Sequence, residues 1–151
     1  MKQMNVGRII LGGVVAAVII NAIEWVINGV VLKADWAAAM QSLNRPPEVT
    51  GFAVAVYNII GLLEGIIGVW LYAAISVRYG SGPITRAKAG LVTWTLVSLI
   101  PSLGMLASNL LPGHLMTMAV VVDFVAILLG VTMGAILYRE EAAPIANAAT
   151  A

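Results

Sequence analysis

Three acidic residues, Glu24, Glu64 and Asp123, each stand alone inside a long apolar stretch that contains no Lys or Arg. An ionised carboxylate near the centre of a bilayer costs roughly 2.5–3.5 kcal/mol, so three cost about 8–10 kcal/mol. That sum is comparable with the whole net stability of a domain, about 5–15 kcal/mol. These carboxyl groups therefore need hydrogen-bond donors, a proton or a bound cation, and they define the chemistry that the chain could perform.

Amide side chains accompany two of the acids at helical spacing. Asn21, Glu24 and Asn28 share one helix face, and a polar stripe of this kind must face protein or water because lipid satisfies no donor or acceptor. Asn58 lies on the face of Glu64 in a later apolar stretch. The predicted proton- or cation-binding residues are Glu24, Glu64, Asp123, Asn21, Asn28 and Asn58.

The polar stripe has three interpretations. Protonated acids can hydrogen-bond to Asn, Ser, Thr and each other and simply hold helices together. Alternatively, they form a site for a proton, Na⁺ or an organic cation, since intramembrane ionisable residues often mark ion pathways. An acid can also face a partner subunit. We expect Glu24, Glu64 and Asp123 to point inward, and at least Glu24 to be protonated or cation-paired at neutral pH.

Composition identifies the class of protein. Of 151 residues, 61% are hydrophobic and only 10% are charged, whereas soluble domains have about 25% charged residues. The sequence thus predicts an integral membrane protein whose first partner is the lipid bilayer. A net charge of +1 argues against nucleic-acid binding, which needs a basic patch or stripe.

Four apolar stretches are long enough to cross a membrane, since about 20 residues suffice. The turn Pro112-Gly113-His114 divides the longest uncharged stretch into two helices. The predicted fold is an all-α bundle of four transmembrane helices in a single domain, 1–141, followed by a flexible tail, 142–151. The predicted spans are about 9–32, 51–77, 89–111 and 115–138.

The connection between the first two spans contains a short amphipathic segment. It runs from Asp35, a candidate N-cap, to Leu43, and it is too short to cross a bilayer. We expect an interfacial helix there. Farther along, Thr85 is a candidate cap for the third helix.

The basic residues predict the orientation. Six of them fall on the side of the two termini and two on the other side, which by the positive-inside rule predicts both termini in the cytoplasm of a multi-pass bacterial inner (plasma) membrane protein. The six are Lys2, Arg8, Arg78, Arg86, Lys88 and Arg139, and the two are Lys33 and Arg45.

Glycines and one proline predict how the helices pack. Gly61 with Gly65, and Gly130 with Gly134, form small-xxx-small patterns that allow a second backbone to approach closely. Pro101, near the middle of the third span, removes one helical hydrogen bond and frees the Val97 carbonyl, which predicts a kink.

The sequence gives little support for haem, metal or catalytic sites. His114 is the only histidine, so this chain cannot supply both axial imidazoles of a b-type haem, and the absence of cysteine excludes thiolate-ligated metals. No phosphate-binding loop, nucleophile elbow or zinc-protease helix occurs. The sequence predicts no catalytic residue, no metal site, no cofactor and no enzymatic activity.

Several segments resemble a known group of proteins. The segments are Gly7-Arg8-Ile9-Ile10-Leu11-Gly12-Gly13, Asn21-Ala-Ile-Glu24-Trp25, Asn28-Gly29-Val30-Val31-Leu32, Asp35-Trp36 and Leu99-Ile-Pro101-Ser-Leu-Gly104. Together they resemble an uncharacterised family of small bacterial four-helix integral membrane proteins. That resemblance implies a fold but no activity. A weaker, architectural similarity is to the small multidrug resistance transporters, which also have a glutamate in the first of four helices.

Two functions remain open on these grounds. The first, which we favour from the sequence, is a non-enzymatic membrane subunit or scaffold, homo-oligomeric or bound to a larger complex, in which the acids fix helix register. The second is a small proton- or cation-coupled transporter that uses Glu24 and Glu64 as binding groups and Pro101 as a flexible point.

Overall fold

A computed structural model describes residues 4–139 of the chain. Within that range all regular structure is helical. The helices are α1 (Val6–Val26), α2 (Lys33–Ser42), α3 (Gly51–Tyr79), α4 (Pro83–Trp94), α5 (Ile100–Ala107) and α6 (Gly113–Ile136). Two π-helical segments, Ile27–Val31 and Thr95–Leu99, extend α1 and join α4 to α5.

Four helices in the described range are long and apolar enough to cross a membrane: Val6–Val31, Gly51–Tyr79, Pro83–Ala107 and Gly113–Ile136. The short α2 lies between the first two. The predicted fold class, an all-α bundle of four membrane-spanning helices with a short helix after the first, is therefore confirmed. The predicted tail, 142–151, lies outside the described residues.

Local sequence signals set most helix ends. The Asn5 side chain accepts a hydrogen bond from the Arg8 amide at 2.9 Å, and the Thr50 side chain accepts one from the Ala53 amide at 3.2 Å. Both are N-caps, which satisfy otherwise unpaired donors. Gly80, with φ of 82°, terminates α3, and Asn44 and Asn109 have positive φ just after α2 and α5. Asparagine tolerates this conformation better than most residues.

The third span is shifted toward the N-terminus relative to the sequence prediction. It begins at Pro83 rather than near residue 89, because proline suits the first turn of a helix and Arg86 and Lys88 fall in the turns that follow. The predicted cap Thr85 lies within the helix, where its hydroxyl donates to the Tyr79 carbonyl at 3.3 Å. Asp35 likewise lies in the first turn of α2 rather than at its cap.

The four spans form an antiparallel bundle with short connections. α1 packs mainly on α3 and α6, and α4 packs mainly on α6 and α3, while α3 and α6 also touch each other. Consecutive spans run in opposite directions, so α1 and α4 are parallel and lie across the bundle from each other. This is the up-down-up-down arrangement of simple four-helix bundles.

Packing differs along the bundle axis. We call the half nearest the chain ends the terminal half, and the half nearest α2 the α2 half. The main hydrophobic core extends from the bundle centre into the terminal half, where it includes Val69, Tyr72, Ala89 and Val131. The α2 half contains a smaller cluster built from Leu32, Ala39 and Leu115 with Trp36 beside them. α5 has no buried residue.

Candidate functional site

Small residues bring the backbone of α1 against its two neighbours. A Cβ added to Gly65 would collide with the Gly13 carbonyl oxygen, and one added to Gly134 would collide with that of Gly12. A Cβ on Gly130 would lie 2.8 Å from the Ala16 carbonyl oxygen. Such contacts leave no room for side chains, so they fix the position of α1 between α3 and α6. Glu24 lies farther along the same helix.

Glu24 is held by an amide from the next turn. The Asn28 side-chain nitrogen donates to Glu24 Oε2. The Asn28 oxygen in turn accepts a hydrogen bond of 2.9 Å from Trp36 Nε1 on α2. Since Asn28 lies in the π-helical segment Ile27–Val31, the widened turn links the short helix to the carboxyl group. π-helical turns are rare and often occur at functional sites.

Asp123 is held by a second π-helical segment. Ser98, in the segment Thr95–Leu99, donates its hydroxyl proton to Asp123 Oδ2. The segment ends two residues before Pro101, whose missing N–H disrupts the regular bonding pattern there. One turn earlier in α4, Trp94 Nε1 donates to the Val120 carbonyl of α6 at 3.0 Å. The Trp94 ring also packs edge-on against Phe124 at 5.1 Å, so α4 and α6 are fixed in register around Asp123.

The carboxyl groups of Glu24 and Asp123 meet each other. They lie close together across the α1–α6 interface. Glu24 Oε1 is completely buried, and no N–H or neutral hydroxyl donor among the described residues reaches it. Two ionised carboxylates are both acceptors, so a hydrogen bond between them requires a proton on one of the pair. Glu24 Oε1 is thus an acceptor beside a second carboxyl group and without a donor among the described residues.

Glu64 completes the group from α3. It lies near enough to Glu24 and Asp123 for electrostatic repulsion between the carboxylates. It is half-buried, and no hydrogen bond to its carboxyl group occurs within residues 4–139. We call Glu24, Glu64 and Asp123 the carboxyl cluster. All three acids predicted from the sequence are thus brought together in the α2 half.

The other two predicted amides lie apart from this cluster. Asn21 donates to the Asn58 backbone carbonyl at 3.3 Å, and its side chain fills the space beside Gly61. The Asn58 side chain donates to the Val54 carbonyl of its own helix at 2.8 Å and is exposed. Asn21 and Asn58 therefore join α1 to α3 instead of binding a carboxyl group, although Asn21 shares a helix face with Glu24.

No Lys or Arg lies in the apolar stretches that carry the three acids. Within residues 4–139, no group of three or more His, Cys, Asp or Glu side chains is arranged to hold a metal ion. One proton between Glu24 and Asp123 would remove one of their two negative charges, and the Ser98 hydroxyl and the Asn28 amide each donate to one further carboxyl oxygen.

Sequence reasoning missed some contributors. No sequence signal pairs Ser98 with Asp123 or Trp36 with Asn28, because the two members of each pair lie on different helical segments. The small residues of α1 carry a plain signal, because Gly12-x-x-x-Ala16 and Gly13-x-x-x-Ala17 both fit the small-xxx-small pattern.

The four glycines predicted to pack helices together lie on α3 and α6. Gly61, Gly65, Gly130 and Gly134 are all buried, and each faces α1. Pro101 is exposed on the side of α5.

Comparisons of the chain with models of protein families, with curated proteins and with solved structures found no match to any of them.

Proposed function

We propose that this protein binds an exchangeable proton between Glu24 and Asp123 and couples it to the movement of a cation across the membrane. The observation that carries this proposal is the buried Glu24 Oε1, which no donor among the described residues reaches, on a carboxyl group that lies beside that of Asp123. A proton at this point turns repulsion between two carboxylates into a hydrogen bond. Its release would leave a negatively charged cavity that attracts a cation.

Glu64 supports the cation-binding part of the proposal. Its carboxyl group is near the other two but takes part in no hydrogen bond within the described residues. The surrounding stretch of α3 is open, with Tyr57 62% exposed and Leu63 52% exposed. An apolar surface on the helix that carries this carboxyl group suits a hydrophobic organic cation, and the Tyr57 ring, two turns along α3 from Glu64, can also attract cations.

The α2 half can also move more readily than the terminal half. Both π-helical segments lie there, and α5 buries none of its side chains. Broken helices near the middle of the membrane are common at the binding sites of secondary transporters. The architectural similarity to the small multidrug resistance transporters, which share a glutamate in the first helix, agrees with this proposal.

The test is binding of tetraphenylphosphonium, a hydrophobic cation, to purified protein over a range of pH. Because a proton and a cation compete for the same carboxylates, wild-type affinity should fall as the pH is lowered. Glu24→Gln keeps the shape and hydrogen-bonding capacity of the side chain but removes the titrating proton. This variant should therefore lose the pH dependence of binding.

Glu48→Gln is the matched control, since Glu48 is exposed in the connection before α3. It removes the same charge and should keep the wild-type pH profile. Infrared difference spectroscopy provides a second reading: the carbonyl band of a protonated carboxylic acid should change with pH in wild type and lose intensity in Glu24→Gln. Cation binding that is independent of pH in wild type would overturn the proposal.

A membrane subunit or scaffold is the second candidate, and it was the one favoured by the sequence. The close backbone contacts of α1 and the large exposed apolar surface of α5 support it, since such a surface can bind another helix as well as lipid. Here the shared proton would never exchange. A scaffold should copurify in mild detergent as a stable oligomer or with a partner, and Glu24→Gln should retain that mass.

We also propose that both termini face the cytoplasm of a bacterial inner membrane, which the six-to-two distribution of basic residues supports. The chain has no cysteine, so single cysteines report position without background. A cysteine at Gln41 should react with an impermeant reagent from outside the cell, and one at Ser81 only from inside. Reaction of both from one side would exclude this topology.

A further inference from the structure

Two apolar grooves flank α4 on the outer surface of the terminal half. One, of about 470 Å³, lies between α3 and α4 and is lined by Leu71, Ile75, Tyr79, Lys88, Leu91 and Val92. The other, of about 250 Å³, lies between α4 and α6 and ends on Phe124 and Leu128. Lys88 and Leu91 line both grooves, so these two side chains form a ridge between them.

Lys88 is the charged group at the head of this ridge. Its ammonium group lies 4.7 Å from the centre of the Tyr79 ring, a cation–π contact that holds it in place while leaving it exposed. No Asp or Glu occurs between residues 65 and 122, so neither α3 beyond Glu64 nor α4 offers it a carboxylate. Arg78 and Arg86 lie at the same end of the α3–α4 hairpin but line neither groove.

We propose that this surface is a binding site for one anionic glycerophospholipid. The phosphate binds Lys88 at the membrane interface, and the two acyl chains lie in the two grooves on either side of Leu91. The distance along α3 from Leu71 to Tyr79 is about 12 Å at 1.5 Å per residue, so a chain in the groove runs from the interface toward the middle of the membrane. Basic sites of this kind between helices bind anionic lipid headgroups in other membrane proteins.

Charge complementarity and shape together select this occupant. A second protein helix would cover the grooves but would need an acidic residue at the level of Lys88. A zwitterionic lipid fits the grooves equally well but carries a second, positive charge that Lys88 repels. One lysine near the surface contributes about fivefold to the binding of an anionic lipid.

Native mass spectrometry of the full chain in detergent, with phosphatidylglycerol and phosphatidylcholine of identical acyl chains, tests the proposal. Wild type should bind phosphatidylglycerol about fivefold more tightly. Lys88→Gln should reduce that affinity to the level of phosphatidylcholine. Lys33→Gln, which removes an exposed positive charge at the other end of the bundle, should keep the preference.

A second variant tests the grooves rather than the charge. Leu91→Trp fills both grooves from the shared ridge and should weaken binding of both lipids, and Lys88 is left intact. Equal binding of the two lipids by wild type would overturn the proposal. An unchanged preference in Lys88→Gln, or an equal loss in Lys33→Gln, would also overturn it, since binding would then depend on overall charge alone.

Discussion

The terminal half and the α2 half of this bundle use opposite kinds of contact. In the terminal half, glycine and alanine bring backbones together, and every core side chain from Val69 to Ala73 that faces inward is almost completely buried. In the α2 half, the spans meet through a set of polar side chains that we call the polar line. Trp36 donates to Asn28 and Asn28 to Glu24. Ser98 donates to Asp123, whose carboxyl group lies beside that of Glu24. The first kind of contact cannot slide without collision, whereas the second can rearrange.

This difference assigns separate tasks to the two halves. Close-packed interiors respond to the addition of even one methylene group, so the terminal half fixes how the helices cross. Hydrogen bonds between polar groups depend on protonation and can be remade with new partners. Chemistry that changes with proton occupancy therefore belongs in the α2 half, which is where the carboxyl cluster lies.

The largest expected effect is on packing in the terminal half. Gly65→Ala puts a methyl group against the Gly13 carbonyl oxygen, with the Ala17 amide nitrogen at 2.8 Å and the Ala16 Cβ at 3.2 Å. Backbone atoms cannot move aside as a flexible side chain can, so overpacking should cost about 1–3 kcal/mol or more. The apparent melting temperature in mild detergent should fall clearly below that of wild type.

Gly104→Ala is the matched control from the α2 half. A Cβ at this position meets nothing within 4 Å, and alanine is more favourable than glycine in a helix by about 0.8–1.0 kcal/mol. The same substitution should therefore stabilise α5 slightly or leave the protein unchanged. If both variants melt together with wild type, the terminal half is not close-packed and the contrast between the halves disappears.

The fold was largely predictable from the sequence, and the reason is physical. Four apolar stretches of membrane-spanning length admit few structures other than a helical bundle, because every backbone polar group in lipid must be satisfied internally. The helix ends were less predictable. Proline at the first turn let the third span begin at Pro83, six residues before the uncharged stretch, since the basic side chains of Arg86 and Lys88 can extend to the interface.

The candidate site was predictable only in part. Burial cost alone indicated that Glu24, Glu64 and Asp123 should point inward, and spacing correctly paired Glu24 with Asn28. The same spacing suggested Asn21 as well, but Asn21 bonds to the Asn58 backbone carbonyl because Gly61 leaves space for it there. Contacts between helices, such as Ser98 with Asp123, depend on rotation about each helix axis. No single-helix pattern fixes that rotation.

A smaller effect is expected from removing one donor of the carboxyl cluster. Ser98→Ala leaves Asp123 Oδ2 without its hydroxyl donor, and an unsatisfied buried acceptor costs about 1–3 kcal/mol. Thr95→Val is the control in the same π-helical segment, because the Thr95 hydroxyl bonds only to the Leu91 carbonyl of its own helix at 2.8 Å.

The two variants should differ in thermal stability and in the pH dependence of cation binding. Ser98→Ala should lower the melting temperature and alter the pH profile of cation binding, since Asp123, the proposed partner in the shared proton, loses its hydroxyl donor. Thr95→Val should match wild type in both measurements. Equal behaviour of the two variants would mean that Ser98 does not act through Asp123, and the carboxyl cluster would then be smaller than the structure indicates.

The smallest expected effect tests whether α2 is part of the polar line or merely covers the end of the bundle. Trp36→Phe keeps an aromatic ring against Leu32, Ala39 and Leu115 but removes the N–H that binds Asn28. The loss of one such hydrogen bond costs about 0.5–1.5 kcal/mol, and Asn28 is then free to turn away from Glu24.

Trp25→Phe is the matched control, because Trp25 is 67% exposed and its ring nitrogen takes part in no hydrogen bond within residues 4–139. Trp36→Phe should lower thermal stability slightly and alter the pH profile of cation binding, whereas Trp25→Phe should leave that profile unchanged. If Trp36→Phe changes stability alone, the line ends at Asn28, and α2 serves the packing of the bundle rather than its chemistry.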